Sequence, residues 1–340
     1  MRILVTGGLG FIGSSVIRNL IKKEDIKVLN LDNQTYAANT KALKNLEKNS
    51  NYIFYKGDIA NKKLIEEIFF TFKPQFVMNL AAETHVDRSI SNPQKFIETN
   101  INGTFNLLEG SRKYLKRCSK EIKYNFRFQH ISTDEVFGSL GKKGLFKEDT
   151  RYNPSSPYSA SKAASDHLVR AWNHTYKIPT IITNCSNNFG PYQYPEKLIP
   201  LTILNALKGK PIPIYGDGNQ IRDWLYVEDH AEALYQILLK GKIGETYNVG
   251  GNNEKTNIEI VEKICEILNS KIEEKPLGIN SFFELIKFVP DRPGHDFRYG
   301  IDATKLKMEL GWVPITNLEL GLKKTIDWYI DNQDTIYNQL

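Results

Sequence analysis

The sequence predicts an α/β fold, a doubly wound parallel sheet followed by a second, smaller α/β domain. In the first half of the chain, short apolar runs rich in β-branched residues alternate with helical patterns. Such runs are typical of strands buried on both faces, and their alternation with helices indicates right-handed βαβ units. After about residue 186 this alternation stops, and segments rich in Pro, Gly and Tyr follow. We therefore expect two domains.

Six strands and several helices are predicted for the first domain, residues 1–186. The strands, in chain order, are "RILVTG", "KVLNLD", "YIFYKGD", "QFVMNLAA", "FRFQHIST" and "TIITNCSN", and the helices lie in "SSVIRNLIKK", "NKKLIEEIFFTF" and "FIETNINGTFNLLEGSRKYL". In the mainly substrate-binding domain, residues 187–340, "IEIVEKICEILN" predicts an amphipathic helix and "FVPDRPGHDFRYGID" an irregular loop. Segments near 224–250, including "GETYNVGG", are expected to return to the first domain.

Composition and charge exclude several classes of protein. The chain has 340 residues, of which 41% are hydrophobic and 25% charged, with a formal net charge of +6. Because Lys and Arg are scattered, the charge indicates a mildly basic surface rather than a nucleic-acid footprint, and it slightly favours an anionic small ligand. We expect no signal peptide, because the opening "MRILVTGG" runs directly into a predicted strand, and no apolar stretch approaches the length of a membrane span. No nucleic-acid or membrane partner is expected.

The three cysteines, Cys118, Cys185 and Cys265, are far apart and form no CxxC or Cys/His cluster. This spacing favours free thiols over a disulfide scaffold or a metal site. We therefore expect a cytoplasmic protein without a bound metal.

The segment "TGGLGFIGSS" links the first predicted strand to a helix. Gly8, Gly10 and Gly13 satisfy the GxGxxG pattern, while Gly7, Gly10 and Gly13 equally satisfy GxxGxxG. Either spacing gives a tight turn, close backbone approach to a pyrophosphate, and a helix N-terminus aimed at it. Because glycine occurs in many kinds of turn, the motif alone is weak evidence for a dinucleotide site. It predicts a Rossmann-type dinucleotide site only in this strand–helix context.

Acidic and small residues at later strand ends strengthen this prediction. Asp32 ends the second strand about 20 residues on, where an acid hydrogen-bonds the adenosine ribose hydroxyls. Because a carboxylate repels a 2′-phosphate, NAD is favoured over NADP. By fold analogy, Asp58 and Ile59 would reach the adenine, although a capping role accounts for them equally well. By the same analogy, the segment Leu80, Ala81 and Ala82 in "NLAA" would let the backbone approach the cofactor, although a packing role accounts for it equally well.

Tyr158 and Lys162 in "PYSASKAASDHLVRAW" lie four residues apart on one face of a predicted helix. Bringing a tyrosine pKa from ~10 to about 7 takes roughly 4 kcal/mol, which a nearby ammonium and an oxidised nicotinamide would supply. The alternative is a tyrosine at a helix start and a solvated lysine. Thr133 at a neighbouring strand end favours the catalytic interpretation.

"STDEVFG" places two adjacent carboxylates, Asp134 and Glu135, at the end of a core strand. Neighbouring side chains on a strand point to opposite faces, so such a pair is awkward to bury. Either the two groups share acid–base chemistry, or they cap the following helix or turn.

These motifs resemble those of the extended short-chain dehydrogenase/reductases and, more narrowly, the dTDP-glucose 4,6-dehydratase family. The matching stretches cover almost the whole chain: "GGLGFIGS", "LDNQTYAAN", "AAETHVDRSI", "STDEVFG", "YSASKAASDHLVRAW", "CSNNFGPYQYPEKLIP", "DGNQIRDWLYVEDHA", "DRPGHDFRYGIDATK" and "LGWVPITNLELGLKKTIDWY". The segments "TDE" and "NNFGPYQYPEKLIP" are specific to the dehydratase branch. The resemblance also implies a homodimer formed through a helical bundle, with helices near 96–115 and 158–176 as candidates.

The resemblance implies roles for the catalytic residues. NAD⁺ takes a hydride from C4 of the hexose while Tyr158, supported by Lys162, takes the O4 proton. Glu135 then removes the C5 proton, Asp134 protonates the departing C6 hydroxyl, and Thr133 hydrogen-bonds O4. Hydride returns to C6. Two interacting carboxyls in a partly desolvated site split their titrations, which favours one neutral acid beside one charged base.

The motifs and the resemblance together imply two sets of binding residues. The cofactor set is Gly7, Gly10, Phe11, Ile12, Gly13, Asp32, Asn33, Gln34, Thr35, Asp58, Ile59, Leu80, Ala81, Ala82, Thr84, Thr99, Tyr158, Lys162 and Asn188. The substrate set is Thr84, Thr133, Asn187, Glu196, Lys197, Leu198, Pro213, Ile214, Tyr215, Arg222, Asn257, Asp291, Arg292 and His295. Two members have an alternative structural role: Arg222 in a surface ion pair with Asp223, and Asn257 as a helix cap.

The function that follows is conversion of dTDP-glucose to its 4-keto-6-deoxy sugar, a step toward deoxysugars such as rhamnose for surface polysaccharide. The rivals are another nucleotide-sugar epimerase, decarboxylase or dehydratase, acting on a UDP- or CDP-sugar, and a non-catalytic NAD-binding sensor. Asn33, Gln34 and Ala38 depart from the family's usual residues at the adenosine edge, which affects NAD affinity but not the chemistry. Phe189 stands where tyrosine is common, which loses one hydroxyl. The nucleobase is inferred from the family alone.

Overall fold

The computed structural model describes residues 1–291 and 293–337. Its strands are β1 Arg2–Thr6, β2 Lys27–Asp32, β3 Tyr52–Lys56, β4 Phe76–Asn79, β5 Arg127–Thr133, β6 Thr180–Cys185, β7 Asn187–Phe189, β8 Ile212–Tyr215, β9 Ile221–Tyr226, β10 Thr246–Val249, β11 Glu254–Thr256 and β12 Ile286–Val289. Its α-helices are α1 Phe11–Ile21, α2 Lys62–Phe72, α3 Val86–Ser91, α4 Pro93–Phe96, α5 Thr104–Arg117, α6 Lys120–Asn125, α7 Pro157–Tyr176, α8 Leu198–Leu207, α9 Val227–Lys240, α10 Asn257–Lys271, α11 Thr304–Leu310 and α12 Leu318–Tyr337. A π-helical segment, Ile97–Gly103, joins α4 to α5, and short 3₁₀ turns span Thr40–Leu46, Asp134–Phe137 and Phe282–Leu285.

Seven strands form one parallel sheet in the order β10-β6-β5-β4-β1-β2-β3. Side chains alternate along each strand and fill a core on each face of the sheet. In β1, Leu4 packs in the core on the α2, α5 and α7 side, while Ile3 and Val5 pack in the core on the α1 and α9 side. This is the predicted doubly wound α/β fold, which the structure confirms.

Strand β3 differs from the prediction that all six strands are buried on both faces. It is the last strand in the order, so only one of its edges is paired. Phe54 and Tyr55 are each 39% exposed. The β-branched and aromatic pattern of "YIFY" fits a strand at any position, and sheet order alone decides that this one lies at the edge.

The second region builds a smaller layer beside the sheet. β11, β9 and β7 form a three-stranded sheet, and β12 pairs with β8 in parallel. Helices α8, α10 and α12 contribute buried side chains to the core of this region. Strand β10 lies at the end of the large sheet, and α9 packs against α1. Strand β12 ends at Val289, so it includes the first two residues of "FVPDRPGHDFRYGID", which was predicted as an irregular loop.

Local sequence signals explain where the functionally important helices begin. Helix α7 starts with a capping box between Ser156 and Ser159, and Pro157 occupies its first position, where no backbone N–H is needed. Helix α10 starts with a capping box between Thr256 and Glu259. Thr256 therefore caps this helix, and Asn257 is its first residue.

None of the helices in residues 1–291 and 293–337 combines the length and the apolar character that a bilayer crossing needs.

Candidate functional site

A cavity of about 430 Å³ opens at the carboxyl ends of β1, β2, β4, β5 and β6. Ligands of open α/β sheets bind at this edge. The cavity brings together most of the residues predicted from the sequence. They are Gly7, Gly10, Phe11, Ile12, Gly13, Asp32, Asn33, Thr35, Asp58, Ile59, Leu80, Ala81, Ala82, Thr84, Thr99, Thr133, Asp134, Glu135, Tyr158, Lys162, Asn187, Asn188, Glu196 and Lys197.

Nine other predicted residues are not part of the described lining of this cavity: Gln34, Leu198, Pro213, Ile214, Tyr215, Arg222, Asn257, Asp291 and His295. Gln34 follows β2 with a left-handed backbone, φ 55°. Leu198 is the first residue of α8. The rest lie in the second region, and Arg292 lies outside the described residues.

Geometry separates the two glycine spacings that the sequence left open. Gly7 has φ +70°, and a Cβ there would lie 2.7 Å from the Cα of Ala81. A Cβ on Gly13 would lie 2.1 Å from the Gly7 carbonyl oxygen. Gly8 instead packs against Asn30, where a Cβ would lie 2.2 Å from Oδ1. Gly7, Gly10 and Gly13 line the cavity, so the GxxGxxG spacing shapes the turn.

We expect Gly7→Ala to destabilise the protein and to weaken its binding of the predicted dinucleotide, NAD. An alanine at this position is strained by its left-handed backbone, which costs roughly 1–3 kcal/mol. Its Cβ also clashes with the backbone of Ala81. Gly144→Ala is the matched control, since Gly144 has φ +90° but a Cβ added there would meet no atom within 4 Å. Urea unfolding should show a larger loss of unfolding free energy for Gly7→Ala than for Gly144→Ala. Equal losses would contradict the importance of the close approach to Ala81.

Asp32 holds the loops around the predicted adenosine site. Its Oδ2 accepts from the Leu9 amide at 2.9 Å and its Oδ1 from the Gln34 amide at 2.7 Å. Burial raises the pKa of Asp32, and these two amides oppose that rise. Each oxygen keeps a further lone pair that would accept from a ribose hydroxyl. Beside it, Asn33 donates to Asp58 at 2.9 Å.

The two adjacent carboxyl groups lie in the 3₁₀ turn that directly follows β5. Thr133 caps this turn, because its Oγ1 accepts from the Glu135 amide at 3.3 Å. The capping role that the sequence left open for Asp134 or Glu135 therefore belongs to Thr133. Asp134 is 1% exposed, and its Oδ2 has no hydrogen-bond partner among the described residues. Burial raises the pKa of Asp134 well above its usual value, and the Glu135 charge raises it further.

Tyr158 and Lys162 face the same cavity from the first two turns of α7. Tyr158 is 7% exposed and Lys162 4%, so the lysine is buried rather than solvated. Lys162 Nζ donates to the Ile131 carbonyl at 2.7 Å. Burial raises the pKa of Tyr158 well above its usual value, and Glu135 adds to this, while a hydrogen bond with Thr133 opposes it. Burial lowers the pKa of Lys162, and the Asp166 charge opposes that shift.

The buried polar groups beneath this pair were not predicted from the sequence. Asp166 Oδ2 accepts from Ser132 and from Tyr152, both at 2.8 Å, and its Oδ1 lies 3.3 Å from His130 Nε2. Asp166 is four residues after Lys162, so helical spacing alone already places both on one face. An acidic residue on the buried face of α7 was the signal that could have identified it.

Asn100 was also missed, although it organises the loop after β4. Its Oδ1 accepts from the Glu83 amide at 2.9 Å, and its Nδ2 donates to Ser161 Oγ at 2.8 Å. It lies in the π-helical segment beside Thr99, which lines the cavity. Single π-helical turns often accompany functional sites because they re-aim side chains. No sequence pattern predicted this one.

Contacts across the cavity mouth join the two regions of the chain. Glu196 accepts from the Tyr36 hydroxyl at 3.3 Å and lies 3.4 Å from His85 Nε2. Lys197 Nζ donates to the Thr84 carbonyl at 3.3 Å. The loop before α8 therefore reaches the loops that follow β2 and β4.

A second polar group gathers at the carboxyl ends of β8 and β12. His295 Nδ1 lies 2.6 Å from Asp291 Oδ1, and the His295 ring meets Tyr215 edge to face. Arg222 is 5% exposed; its guanidinium donates to the Asp296 carbonyl at 3.0 Å and covers the Tyr299 ring. The alternative of a surface ion pair for Arg222 is therefore wrong. Its charge reaches Asp134, whose raised pKa it opposes.

His230 supports Asn188 from behind the cavity. Its Nδ1 lies 2.9 Å from Asn188 Oδ1, so the ring donates here, while Asn188 Nδ2 donates to the Ser186 carbonyl at 2.9 Å. Burial lowers the pKa of His230 to about 3. The folded protein therefore keeps this ring neutral in mildly acidic solution.

This histidine should make the folded state less stable as pH falls. The unfolded chain binds a proton at His230 below pH ~6.5, whereas the folded chain does not until about pH 3. His230→Gln retains a donor for Asn188 and removes the titration. Between pH 6.5 and 5 the wild type should lose about 1.5 kcal/mol more unfolding free energy than the variant. Parallel pH profiles in urea unfolding would contradict this expectation.

The fold and the cavity define a dinucleotide-dependent enzyme of the short-chain dehydrogenase/reductase type, with acid–base groups beside the tyrosine–lysine pair. A family model described as GDP-mannose 4,6 dehydratase matches residues 4–325. A dTDP-glucose 4,6-dehydratase of Neisseria meningitidis is 56% identical over 100% of this chain and 96% of that protein. The chain therefore belongs to the dTDP-glucose 4,6-dehydratase family, as its motifs predicted.

Solved structures agree with this relationship. The dTDP-glucose 4,6-dehydratase of Bacillus anthracis, solved in complex with NAD, has a TM-score of 0.88 and 44% identity, with full coverage of both chains. The dTDP-glucose 4,6-dehydratase of Streptomyces venezuelae, also with NAD bound, has a TM-score of 0.91 and 37% identity, again with full coverage of both chains. The family model and these relatives all name a 4,6-dehydratase. The model names GDP-mannose as the sugar nucleotide, whereas the relatives name dTDP-glucose.

Proposed function

We propose that this protein converts dTDP-α-D-glucose to dTDP-4-keto-6-deoxy-D-glucose and water, with bound NAD, in deoxysugar biosynthesis. One observation carries the proposal: the hydroxyl and two carboxyl groups of Thr133, Asp134 and Glu135 line the same cavity as the dinucleotide glycines and Tyr158. A hydride-transfer enzyme without dehydration has no use for an acid and a base beside its tyrosine.

The glycine turn fits a dinucleotide. At Gly10, the residue preceding α1, a Cβ would meet only the Gly7 carbonyl oxygen, at 3.2 Å, so the turn is open toward the cavity. Backbone amides at a helix start such as this one suit the binding of a pyrophosphate. When bound, NAD⁺ accepts the hydride from C4 and returns it to C6, and its positive ring stabilises the phenolate of Tyr158.

Three side chains of the protein move the protons. Tyr158 takes the O4 proton, which lets the hydride leave C4. The resulting 4-keto group acidifies C5–H, and Glu135 removes that proton. Asp134, held neutral by burial and by the Glu135 charge, then donates its proton to the C6 oxygen, which departs as water.

The remaining predicted residues hold the nucleotide. Asn187, Glu196 and Lys197 line the cavity beyond the catalytic groups, while Arg222, Tyr215 and His295 lie on the second-region side. A guanidinium and an imidazole beside an aromatic ring suit a pyrophosphate and a base. The predicted contacts of Pro213, Ile214, Asn257 and Asp291 belong to this side of the substrate.

A separate assay of dTDP-, UDP- and CDP-glucose tests the function and the nucleobase together. We expect loss of one water, detected by mass, with dTDP-glucose in preference to the other two, and no consumption of added reductant. A deuterium placed on C4 should reappear on C6 of the product. A steady accumulation of reduced cofactor, or release of carbon dioxide from a uronate, would instead favour an oxidoreductase or decarboxylase.

We also propose a cytoplasmic homodimer joined through α5 and α7. Phe105 on α5 is 38% exposed and Tyr176 on α7 is 45% exposed, and both pack edge to face on Trp172. Two copies of this aromatic cluster would cover each other in a four-helix bundle.

Phe105→Glu should therefore shift the protein toward monomer, raising the dimer dissociation constant at least ~10-fold, because a charge would be buried at the interface. Light scattering after size-exclusion chromatography measures this directly. Met308→Glu is the control, since Met308 is 78% exposed on α11. A dimer that is unaffected by Phe105→Glu would show that this surface is not the dimer interface.

A further inference from the structure

Asp166 is a buried carboxyl group that the proposed proton transfers do not use. It lies on α7 with 0% exposure, and its Oδ2 accepts from the Ser132 and Tyr152 hydroxyls, both at 2.8 Å. Burial favours the neutral form of this carboxyl, yet the hydrogen bonds and charges around it lower its pKa below the ordinary value. An isolated charge is costly to bury, so a cation is expected nearby.

The histidine next to Asp166 does not supply that cation. Thr6 donates to Asn79 Oδ1 at 2.8 Å, which turns the Asn79 amide nitrogen toward His130 Nδ1 at 3.1 Å. His130 Nδ1 therefore accepts, the ring proton is on Nε2, and Nε2 lies 3.3 Å from Asp166 Oδ1. Burial lowers the pKa of His130 to about 4, so the ring is neutral at neutral pH.

Two basic residues on α7 remain, each one helical turn from Asp166. Arg170 is half-buried, and its guanidinium donates to the Tyr152 hydroxyl at 2.7 Å, so Tyr152 lies between its charge and the carboxylate. Lys162 is 4% exposed and lies four residues before Asp166, on the same face of the helix. Lys162 is thus the cation that shares the buried interior with Asp166.

Lys162 and Asp166 also attach α7 to the end of β5. Lys162 Nζ donates to the Ile131 carbonyl at 2.7 Å, and Ser132, the next residue of the strand, donates to Asp166. Thr133 follows directly as the last residue of β5. The two bonds therefore fix the helix at consecutive residues of the strand, immediately before Thr133.

Resting on the function proposed above, we infer that Asp166 is a positioning residue for the proton transfer from O4. As the buried counter-charge of Lys162, it keeps an ammonium beside Tyr158 and holds the start of α7 on the strand. Lys162 in turn stabilises the phenolate that takes the O4 proton. Without the charge of Asp166, the ammonium would lose its proton at a lower pH, and a neutral amine gives the phenolate no such support.

The charged and titratable groups around Lys162 and Asp166 come from several elements. They are Tyr158 and Arg170 on α7, Tyr152 in the segment before it, His130 on β5, Cys185 on β6, and Asp134 and Glu135 in the 3₁₀ turn. Burial lowers the pKa of Lys162, and Asp166 opposes this more strongly than Cys185 does. Burial raises the pKa of Cys185 to about 12, so the thiol carries no charge at neutral pH. Lys162 should therefore respond to loss of the Asp166 charge.

The pH dependence of the single-turnover rate of 4-keto product formation tests this inference. Asp166→Asn removes the charge at nearly constant shape, and Asp166→Ser is a second neutral variant should the first fold poorly. We expect a rate at least ~10-fold below that of the wild type at its optimum, and an alkaline limb that lies at least about 0.5 pH unit lower. The steady-state KM should change little, because Asp166 is not part of the described lining of the cavity.

Tyr152→Phe and Asp166→Glu are the controls. Tyr152→Phe removes one donor from the carboxylate but leaves its charge, and Asp166→Glu keeps a charge in a longer side chain. Both should keep the alkaline limb of the wild type, whatever their rate. Urea unfolding of each variant shows whether its fold is intact.

Two results would overturn the inference. A folded neutral variant whose rate falls equally at every pH, with an unmoved alkaline limb, would show that Asp166 only stabilises the fold. Should neither neutral variant fold, Asp166→Glu decides: a limb at the position of the wild type supports the inference, and a limb moved to lower pH overturns it. Absence of 4-keto product from the wild type would instead reject the proposed function.

Discussion

Tyr158→Phe should reduce formation of the 4-keto product by about 10²–10⁴-fold, because it removes the base that takes the O4 proton. The loss should fall on kcat, since the phenol acts in the transition state and contributes little to nucleotide binding. The phenol lies in a buried pocket with Thr133 beside it and Lys162 one turn along α7. Product formation by mass detection, with KM measured in parallel, gives the result.

The control for this substitution is Tyr124→Phe, since Tyr124 is 89% exposed. It should leave kcat and KM unchanged. Thermal unfolding of both variants shows whether the fold is intact. Full formation of the 4-keto product by a folded Tyr158→Phe variant would reject the catalytic role of the tyrosine, whereas absence of product from the wild type itself would favour the NAD-binding sensor.

Glu135→Gln and Asp134→Asn should each reduce product formation by about 10²–10⁴-fold, but should stop the reaction at different steps. Without Glu135 the C5 proton stays in place. Without the Asp134 acid, C5–H is still removed and returned, but the C6 hydroxyl leaves poorly. In deuterated water, sugar recovered from Asp134→Asn should therefore carry deuterium at C5, whereas sugar recovered from Glu135→Gln should not.

Both amide variants preserve shape and remove the ionisable group, so they control for each other. The raised pKa of Asp134 supports this division of roles, because a neutral carboxyl donates a proton and a charged one accepts it. Deuterium at C5 in the Glu135 variant, with none in the Asp134 variant, would exchange the two assignments. Unimpaired dehydration by both variants would show that neither carboxyl group takes part in the reaction.

Much of the fold was predictable because buried parallel strands appear in the sequence as short apolar runs rich in β-branched residues. Six apolar runs and the glycine turn were enough for the doubly wound sheet, and the Ser156 and Thr256 capping boxes mark helix starts by local hydrogen bonding. The edge position of β3 was not predictable, because strand order depends on which helices cross over. The π-helical segment at Asn100 was missed because its cause lies in tertiary contacts to Glu83 and Ser161.

The sequence by itself determined which chemical groups are present and, through strand ends and helical spacing, that Thr133, Tyr158 and Lys162 would meet at one edge of the sheet. Only the tertiary structure decided how strongly the acidic group beside them binds its proton. The pKa of Asp134 is raised because neighbouring elements exclude water from it and place Glu135 beside it, and desolvation depends on everything packed around a group rather than on its position in the chain. The place of Asp166 beneath the catalytic pair, in contrast, was within reach of helical spacing, because it lies four residues after Lys162, although it was not predicted.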